Sequence, residues 1–374
     1  MERAAVYFTD FRMKNGQNHQ TKLRKLMKAA GMDKIDFQGK YVAIKIHFGE
    51  LGNLAFLRPN FARYVADYVK ELGGYPFLTY CNTLYVGSRK NALDHLDTAL
   101  LNGFSPYATG CQILIADGLK GTDDVEVPVV GGTLCKTAKI GRAIMDADIV
   151  ISLNHFKGHE MAGFGGALKN LGMGSGSRAG KMEMHSAGKP IVDQEKCIGC
   201  GACKKICAHD GPQIENGKCT IDYDKCVGCG RCIGVCPKDA VEAAQDETFE
   251  NLNGKIAEYA KAVVDGRPNF HINIVSQVSP NCYCHAENDA AIVPDVGMFA
   301  SFDPVALDQA CADACQAQPV IGGSLLDERM RASGFVDRGD IFTNTTPESE
   351  WKSCLEHAEK IGLGTRSYEL ITVK

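Results

Sequence analysis

The stretch from Cys197 to Cys236 limits what this chain can fold into more than any other. It reads CIGCGACKKIC and then CVGCGRCIGVCP, so each half has the spacing C-x2-C-x2-C-x3-C. Three thiolates that close together suit a loop wrapped round one corner of an iron–sulfur cubane, each meeting a different iron. The fourth lies too far along to close the same loop. Gly199, Gly201, Gly228 and Gly230 stand between the candidate ligands, where the backbone must pass close to sulfide and positive φ is useful. Zinc is the competing reading, but zinc sites draw four ligands from two separated pairs, and two complete runs fit that poorly.

The stretch over 190–245 resembles a two-cluster bacterial ferredoxin. In that family the fourth cysteine of each run ligates the other cluster. The resemblance implies two [4Fe-4S] clusters, one on Cys197, Cys200, Cys203 and Cys236, the other on Cys226, Cys229, Cys232 and Cys207. One departure is visible: Pro237 follows Cys236, whereas Ala208 follows Cys207. A looser turn over 208–212 is expected.

The chain has 374 residues, far more than such a module needs, and the remainder can form one large core or two smaller ones. Charged residues make up 23% and hydrophobic ones 45%, an ordinary soluble balance. A net charge of −4 gives no electrostatic case for nucleic acid or an anionic membrane. No apolar run reaches spanning length, and the start, MERAAVYFTDFRMKNG, reads as a first strand and not as a signal peptide. With 17 cysteines and no export signal, the expected setting is a reducing cytoplasm, low in oxygen, with the thiols ligating metal.

On both sides of the cysteine module strands alternate with helices. Strands are expected over 4–8, 41–47, 76–80, 112–116, 149–153, 270–276 and 368–373. Helices are expected over 21–30, 58–72, 90–101, 252–264, 304–317, 325–333 and 349–361, with an irregular or hairpin excursion over 121–137. This alternation predicts an α/β fold: a mixed, mostly parallel sheet with helices on both faces, plus the inserted α+β two-[4Fe-4S] ferredoxin-like domain. The expected division is 1–189 and 246–374 as two parts of one α/β domain, with 190–245 inserted.

A second chemical stretch, NHFKGHEMAGFGGALK, follows the strand over 149–153. Loops after strand carboxyl ends form the ligand crevice of open α/β sheets. This loop offers His155, Lys157, His159 and Glu160. Gly163, Gly165 and Gly166 then precede a helix whose free amides could hold an anion, with Lys169 inside it. The strand over 41–47 also ends in Lys45 and His47, two apart and on one face, and Glu50 follows. Ser177, Arg178, Lys181 and His185 lie just before the module. Single histidines are mostly hydrogen-bonded or surface residues, and glycines often serve only a turn. The concentration at two strand exits favours a site: Lys45, His47, His155, Lys157, His159 and His185 as catalytic candidates, Lys169 and Arg178 for substrate.

A third stretch, NCYCHAEND, follows the strand over 270–276. Cys282, Cys284 and His285 offer thiolates and imidazole for an additional metal ion or cluster, with Asp295, or Cys311 and Cys315, as further donors. Cys311 and Cys315, four apart, also read as small core residues. Cys81, Cys111, Cys135, Cys219 and Cys354 read as structural thiols.

The segments KIHFGE, NHFKGHEMAGFGGALKNLGMG, the cysteine module and IVPDVGMFASFDPVALDQA occur in that order. Together they resemble the iron–sulfur proteins built on the domain of unknown function 362. The resemblance covers nearly the whole chain. It implies an α/β domain carrying a two-cluster ferredoxin, and it supplies no reaction.

These features favour a redox enzyme. Two clusters would accept electrons from a soluble carrier protein and pass them to a small-molecule site, where lysines and Arg178 hold an anionic or carbonyl substrate and a histidine supplies protons. Two alternatives stay open: a non-catalytic electron carrier or docking subunit, and a metal-dependent enzyme whose clusters are structural. Nothing matches a nucleotide fingerprint, since Gly163, Gly165 and Gly166 lack the required spacing.

Overall fold

The computed structural model describes residues 3–84, 87–185, 189–244, 247–287 and 289–374; the expected domain boundary at 245–246 lies outside them. Among these residues eight strands form one sheet: β1 (Ala4–Asp10), β2 (Tyr41–Lys45), β3 (Tyr75–Tyr80), β4 (Gln112–Ile115), β5 (Ile149–His155), β6 (Asn269–Val275), β7 (Gly297–Ser301) and β8 (Tyr368–Thr372). Their order is β8-β1-β7-β6-β5-β2-β3-β4. Every pairing is parallel except the two made by β7. The sheet is therefore mixed and mostly parallel, with strands from both sides of the cysteine module. β7 was not expected from the sequence. GMFAS has no β-branched residue, and only the flanking β1 and β6 make it a strand.

The principal helices are α1 (His19–Ala29), α2 (Pro59–Glu71), α3 (Ala92–Leu101), α4 (Ala167–Ser175), α5 (Arg178–His185), α6 (Phe249–Val264), α7 (Pro304–Gln316) and α8 (Lys352–Lys360). Period-two alternation decides which face each strand residue covers. Val42 and Ile44 of β2, Ile149, Ile151 and Leu153 of β5 and Phe270, Ile272 and Ile274 of β6 pack with Leu23 and Leu26 of α1 and Val65 and Val69 of α2. On the opposite face, Val150, Val275 and Phe299 pack with Leu171 of α4, Ile256 of α6, Leu307 of α7 and Leu355 of α8. The excursion over 121–137 resolves into a hairpin, Asp124–Pro128 with Thr137–Gly141. None of the described helices is long and apolar enough to cross a membrane.

The cysteine module is a small unit. Strand Pro190–Val192 pairs antiparallel with Val241–Ala243, which closes its base, and Pro212–Glu215 pairs with Lys218–Ile221. Its core of Cys197, Cys203, Cys219, Cys232, Ile233 and Val241 includes two residues from outside, Leu84 and Met182. Met182 lies on α5, so this helix packs against both units.

Candidate functional site at the carboxyl ends of the parallel strands

Because β2, β3, β5 and β6 run the same way, the loops that leave them gather at one edge of the sheet. The loop after β6 carries Cys282, Tyr283 and Cys284, all buried. It is held from two sides. On one side is the loop after β5, which contains a short hairpin (Lys157–His159 with Gly163–Gly165) within the stretch expected as a loop. There the Gly158 amide donates to Ser279 O at 2.8 Å, and a Cβ at position 158 would stand 2.3 Å from Pro280 O, so only glycine fits. Glu160 accepts the Cys282 amide at 3.0 Å. On the other side the Glu50 amide donates to Tyr283 O at 3.0 Å. Asn53 donates to the carbonyls of His285 and Glu287, and Arg89 to that of Cys284 at 3.1 Å. Arg89 is fully buried and ion-paired with Glu50 at 2.9 Å.

This clamp sets Sγ of Cys282 2.7 Å from Sγ of Cys284. His47 Nε2 lies 3.5 Å from Cys284 Sγ. The three donor atoms are within 4.8 Å of one another, a spacing a single metal ion can span. His285, expected as the third donor, instead faces Glu160 at 3.5 Å and is half exposed. Asp295 accepts the Gln277 amide, and Cys311 the Asn273 side chain. The surroundings of His47 do not suit a ligand. Its Nδ1 accepts the Gly49 amide at 2.9 Å, which puts the ring proton of a neutral imidazole on Nε2. That nitrogen also faces the Arg89 guanidinium at 3.2 Å.

The two thiols are driven apart electrostatically. Burial pushes the pKa of Cys282 up, but the hydrogen bond with Cys284 and the charges of Lys157 and Lys169 bring it well below the ordinary thiol value. Cys284 goes well above it, first through that same hydrogen bond and then through burial. Lys169 Nζ stands 4.0 Å from Cys282 Sγ. His159 accepts the amides of Met161 and Ala162 on Nδ1, which leaves its Nε2–H for Cys282 and for Glu160 at 3.8 Å.

Beside the thiols His47, His155, Lys157, Lys169, Asn170 and Tyr283 line a small cleft. Lys157 Nζ is buried there, 5.2 Å from the Tyr283 ring centre, with no hydrogen-bond partner among the described residues. His155 Nε2 is 2.5 Å from Ser276 O and donates to it, which leaves Nδ1 as a lone acceptor. Burial lowers the pKa of His155 to about 4 and that of His185 to about 3. Both rings are neutral near pH 7 and are poorly suited to the expected role of proton donor. Lys169 keeps its charge against burial because Cys282, Cys284 and Glu160 favour its ammonium form. His155 also lines a larger cleft of about 450 Å³ with Phe11, His19, Phe56, Arg58 and Tyr64.

Under the cleft runs a buried polar chain. Lys45 Nζ donates to Asn170 at 2.8 Å, Asn170 to Asn154 at 2.7 Å, Asn154 to Asn273 at 2.9 Å, and Asn273 to Asp308 at 2.7 Å. Lys45 is wholly buried and acts here as support, outside the cleft lining. Asp308 also accepts the amides of Ala167 and Leu168 at 2.7 and 2.9 Å. This corrects the expectation of a free anion site at the start of α4: the two amides are already capped from within the protein. Burial drives Asp308 up to about 6 and Lys45 well below the usual lysine value.

Arg178, expected to bind substrate, lies at the seam with the module. A Cβ at Gly230 or Gly234 would strike its side chain, and it donates to Lys90 O. Lys90 in turn pairs with Asp239. Within the module one hollow is lined by Cys197, Cys200, Cys203 and Cys236, with Cys219 beside them, and a second by Cys207, Cys226, Cys229 and Cys232. The two halves match in detail. The Gly211 amide donates to Cys207 Sγ and the Ala240 amide to Cys236 Sγ, at 3.4 and 3.2 Å. The turn after Cys207 thus makes the same N–H···S contact without the proline. Both hollows fit an iron–sulfur group: four thiol donors each, apolar walls and amides aimed at sulfur.

Sequence reasoning missed Arg89, Asn170, Asn273, Tyr283 and Asp308. Arg89 was open to discovery, since it follows the exit of β3. Asp308, in the second turn of a helix over a hundred residues from the amides it caps, carried no local signal.

The fold and site define an α/β protein with a cationic, thiol-bearing crevice at its strand ends and, beside it, a cysteine-rich unit whose thiols could hold metal. The chain belongs to the family described as "Domain of unknown function (DUF362)", which it matches over residues 42–313. No curated protein matches it. Among solved structures it is similar to the lactate racemase apoprotein from Thermoanaerobacterium thermosaccharolyticum, with a TM-score of 0.39 and 11% identity, covering 73% of this chain and 51% of that one. It is also similar to a protein from Thermotoga maritima, with a TM-score of 0.37 and 12% identity, covering 81% and 60%. This chain therefore spans between half and three-fifths of the length of those proteins.

Proposed function

We propose that the protein is an iron–sulfur oxidoreductase that delivers electrons from two [4Fe-4S] clusters to an anionic small molecule held at the strand ends. The carrying observation is that the two cysteine-lined hollows gather the two sets of thiols that the ferredoxin resemblance implies, with Cys207 and Cys236 exchanged between the runs. The clusters would be held by Cys197, Cys200, Cys203 and Cys236, and by Cys226, Cys229, Cys232 and Cys207. When bound they supply one-electron redox chemistry, tuned by hydrogen bonds to sulfur and by exposure. Helix α5 supports a short path between the two regions. Met182 packs in the module's core and His185, at the helix end, interacts with Lys169 and His159. Eight helical residues span about 12 Å.

In the cleft, Lys157 and Lys169 would bind the anion. A buried ammonium without a hydrogen-bond acceptor, as Lys157 is among the described residues, is costly unless a ligand meets it, which supports an anionic occupant over a neutral one. Lys169, held protonated beside Cys282, would donate a proton as the substrate takes up electrons, and the lone Nδ1 of neutral His155 would accept a hydrogen bond from it. A soluble one-electron carrier in a reducing cytoplasm would be the donor.

Anaerobic purification tests the reading. About eight irons and eight labile sulfides per chain, with reducible cluster signals, are expected. Lys157→Met should abolish substrate-dependent cluster reoxidation while leaving the fold equally or more stable. Zinc in the module, or unchanged reoxidation by every active substrate in the lysine variant, refutes the reading.

A further inference from the structure

We propose that Cys282 and Cys284 are a redox-active dithiol–disulfide pair, a two-electron store between the one-electron module and the cationic cleft. The inference rests on the module's reading only for its source of electrons. The pair itself stands on geometry.

Two sulfurs 2.7 Å apart need move by less than 1 Å to reach the bond length of about 2.05 Å. The clamps described above hold the loop on both sides: Glu160 at the Cys282 amide, Arg89 at the Cys284 carbonyl. The charges nearby favour sulfur anion over metal cation. Lys169 Nζ is 4.0 Å from Cys282 Sγ, and the Arg89 guanidinium faces, at 3.2 Å, the His47 nitrogen that a metal would need. Lys157 and Lys169 near Cys282 and Arg89 near Cys284 stabilise a thiolate and oppose a dication.

The step balances simply. The Sγ–Sγ bond breaks as two electrons arrive, one at a time, from an iron–sulfur carrier. One proton from solvent goes to Cys284. Cys282 is left as a thiolate, accepting the hydrogen bond from Cys284 and facing Lys169. Oxidation reverses each change. Stabilising the reduced form makes such a pair readily reducible, and two one-electron centres match a two-electron acceptor.

The test uses the full chain under anaerobic conditions. It is equilibrated with mixtures of reduced and oxidised dithiothreitol, alkylated, and the peptide containing both residues is analysed by mass. Both thiols should be modified or neither, with a two-electron midpoint. Lys169→Gln should move the half-reduction ratio about tenfold towards reducing conditions, the effect of losing about 1.4 kcal/mol of thiolate stabilisation, and Lys169→Arg should restore it. Thiols that stay alkylatable at every ratio overturn the proposal, as does protection by a stoichiometric ion that a chelator releases.

Reduced methyl viologen separates this proposal from the function on which it leans. It should reduce the pair in the native protein and fail in Cys229→Ser, while dithiothreitol reduces both. Equal reduction by viologen in both proteins refutes the electron route and leaves the pair standing.

Discussion

His271 shows how a single residue carries the energetics of this sheet. It lies in β6 on the side of the buried polar chain, with Nδ1 2.9 Å from Ser152 Oγ and Nε2 2.8 Å from Asn269 Oδ1. Burial lowers its pKa to about 3. The folded protein therefore leaves it neutral across a range where the unfolded chain, with a pKa near 6.5, takes up a proton. Its contribution is complete above about pH 6.5 and is lost as pH falls towards 3, at up to about 1.4 kcal/mol per pH unit. In His271→Gln the fall in unfolding free energy between pH 6 and 4 should be shallower by one proton than in the native chain. Denaturant titrations across that interval measure it; parallel slopes would show that His271 is charged when folded.

At the scale of elements, α4 is the piece on which the site depends. It presents Lys169 and Asn170 to the cleft and rests on α6. Its sequence, ALKNLGMGS, sets two glycines among good helix formers, and those glycines make room. A Cβ at Gly172 would stand 2.1 Å from Ile256 O of α6, and one at Gly174 2.4 Å from Lys45 Nζ. The usual preference for alanine in helices, worth about 1 kcal/mol, is therefore reversed here. Gly172→Ala should destabilise the protein by about 1–3 kcal/mol, the cost of overpacking, and should displace Lys169 enough to weaken anion binding. Chemical denaturation and a binding titration read the two effects, and a neutral or stabilising result would mean that α4 and α6 are farther apart than described.

At the scale of the molecule, the cysteine module is closed at its base. The Ala244 amide donates to Lys189 O at 3.4 Å, so entering and leaving chains are adjacent. Replacing 190–243 by a short flexible linker should leave the α/β sheet able to fold, since β1–β8 all lie outside the module. The cost is exposure of Leu84 and Met182, about 1.5–3 kcal/mol for each, or roughly 5–15 °C in melting temperature. Thermal melting by circular dichroism decides. Loss of cooperative unfolding would mean that the module is a required part of the core.

The amino-acid sequence by itself determined the elements whose chemistry is local. The cysteine spacing marked two tight runs of thiols, which line two hollows, because residues two or three apart stay close whatever the rest of the chain does. Strand–helix alternation gave a mostly parallel sheet, and the strand exits pointed to His47, Lys157, Lys169 and the two thiols at 282 and 284. Tertiary structure alone decided what those groups do to one another. It turned His285 away and brought Arg89 to His47, made β7 a strand through its neighbours, spent the amides of α4 on Asp308, and took Arg178 to the seam. The reason is the same in each case: burial and charge act through space, so where water is excluded a side chain answers most strongly to neighbours that lie far from it along the chain.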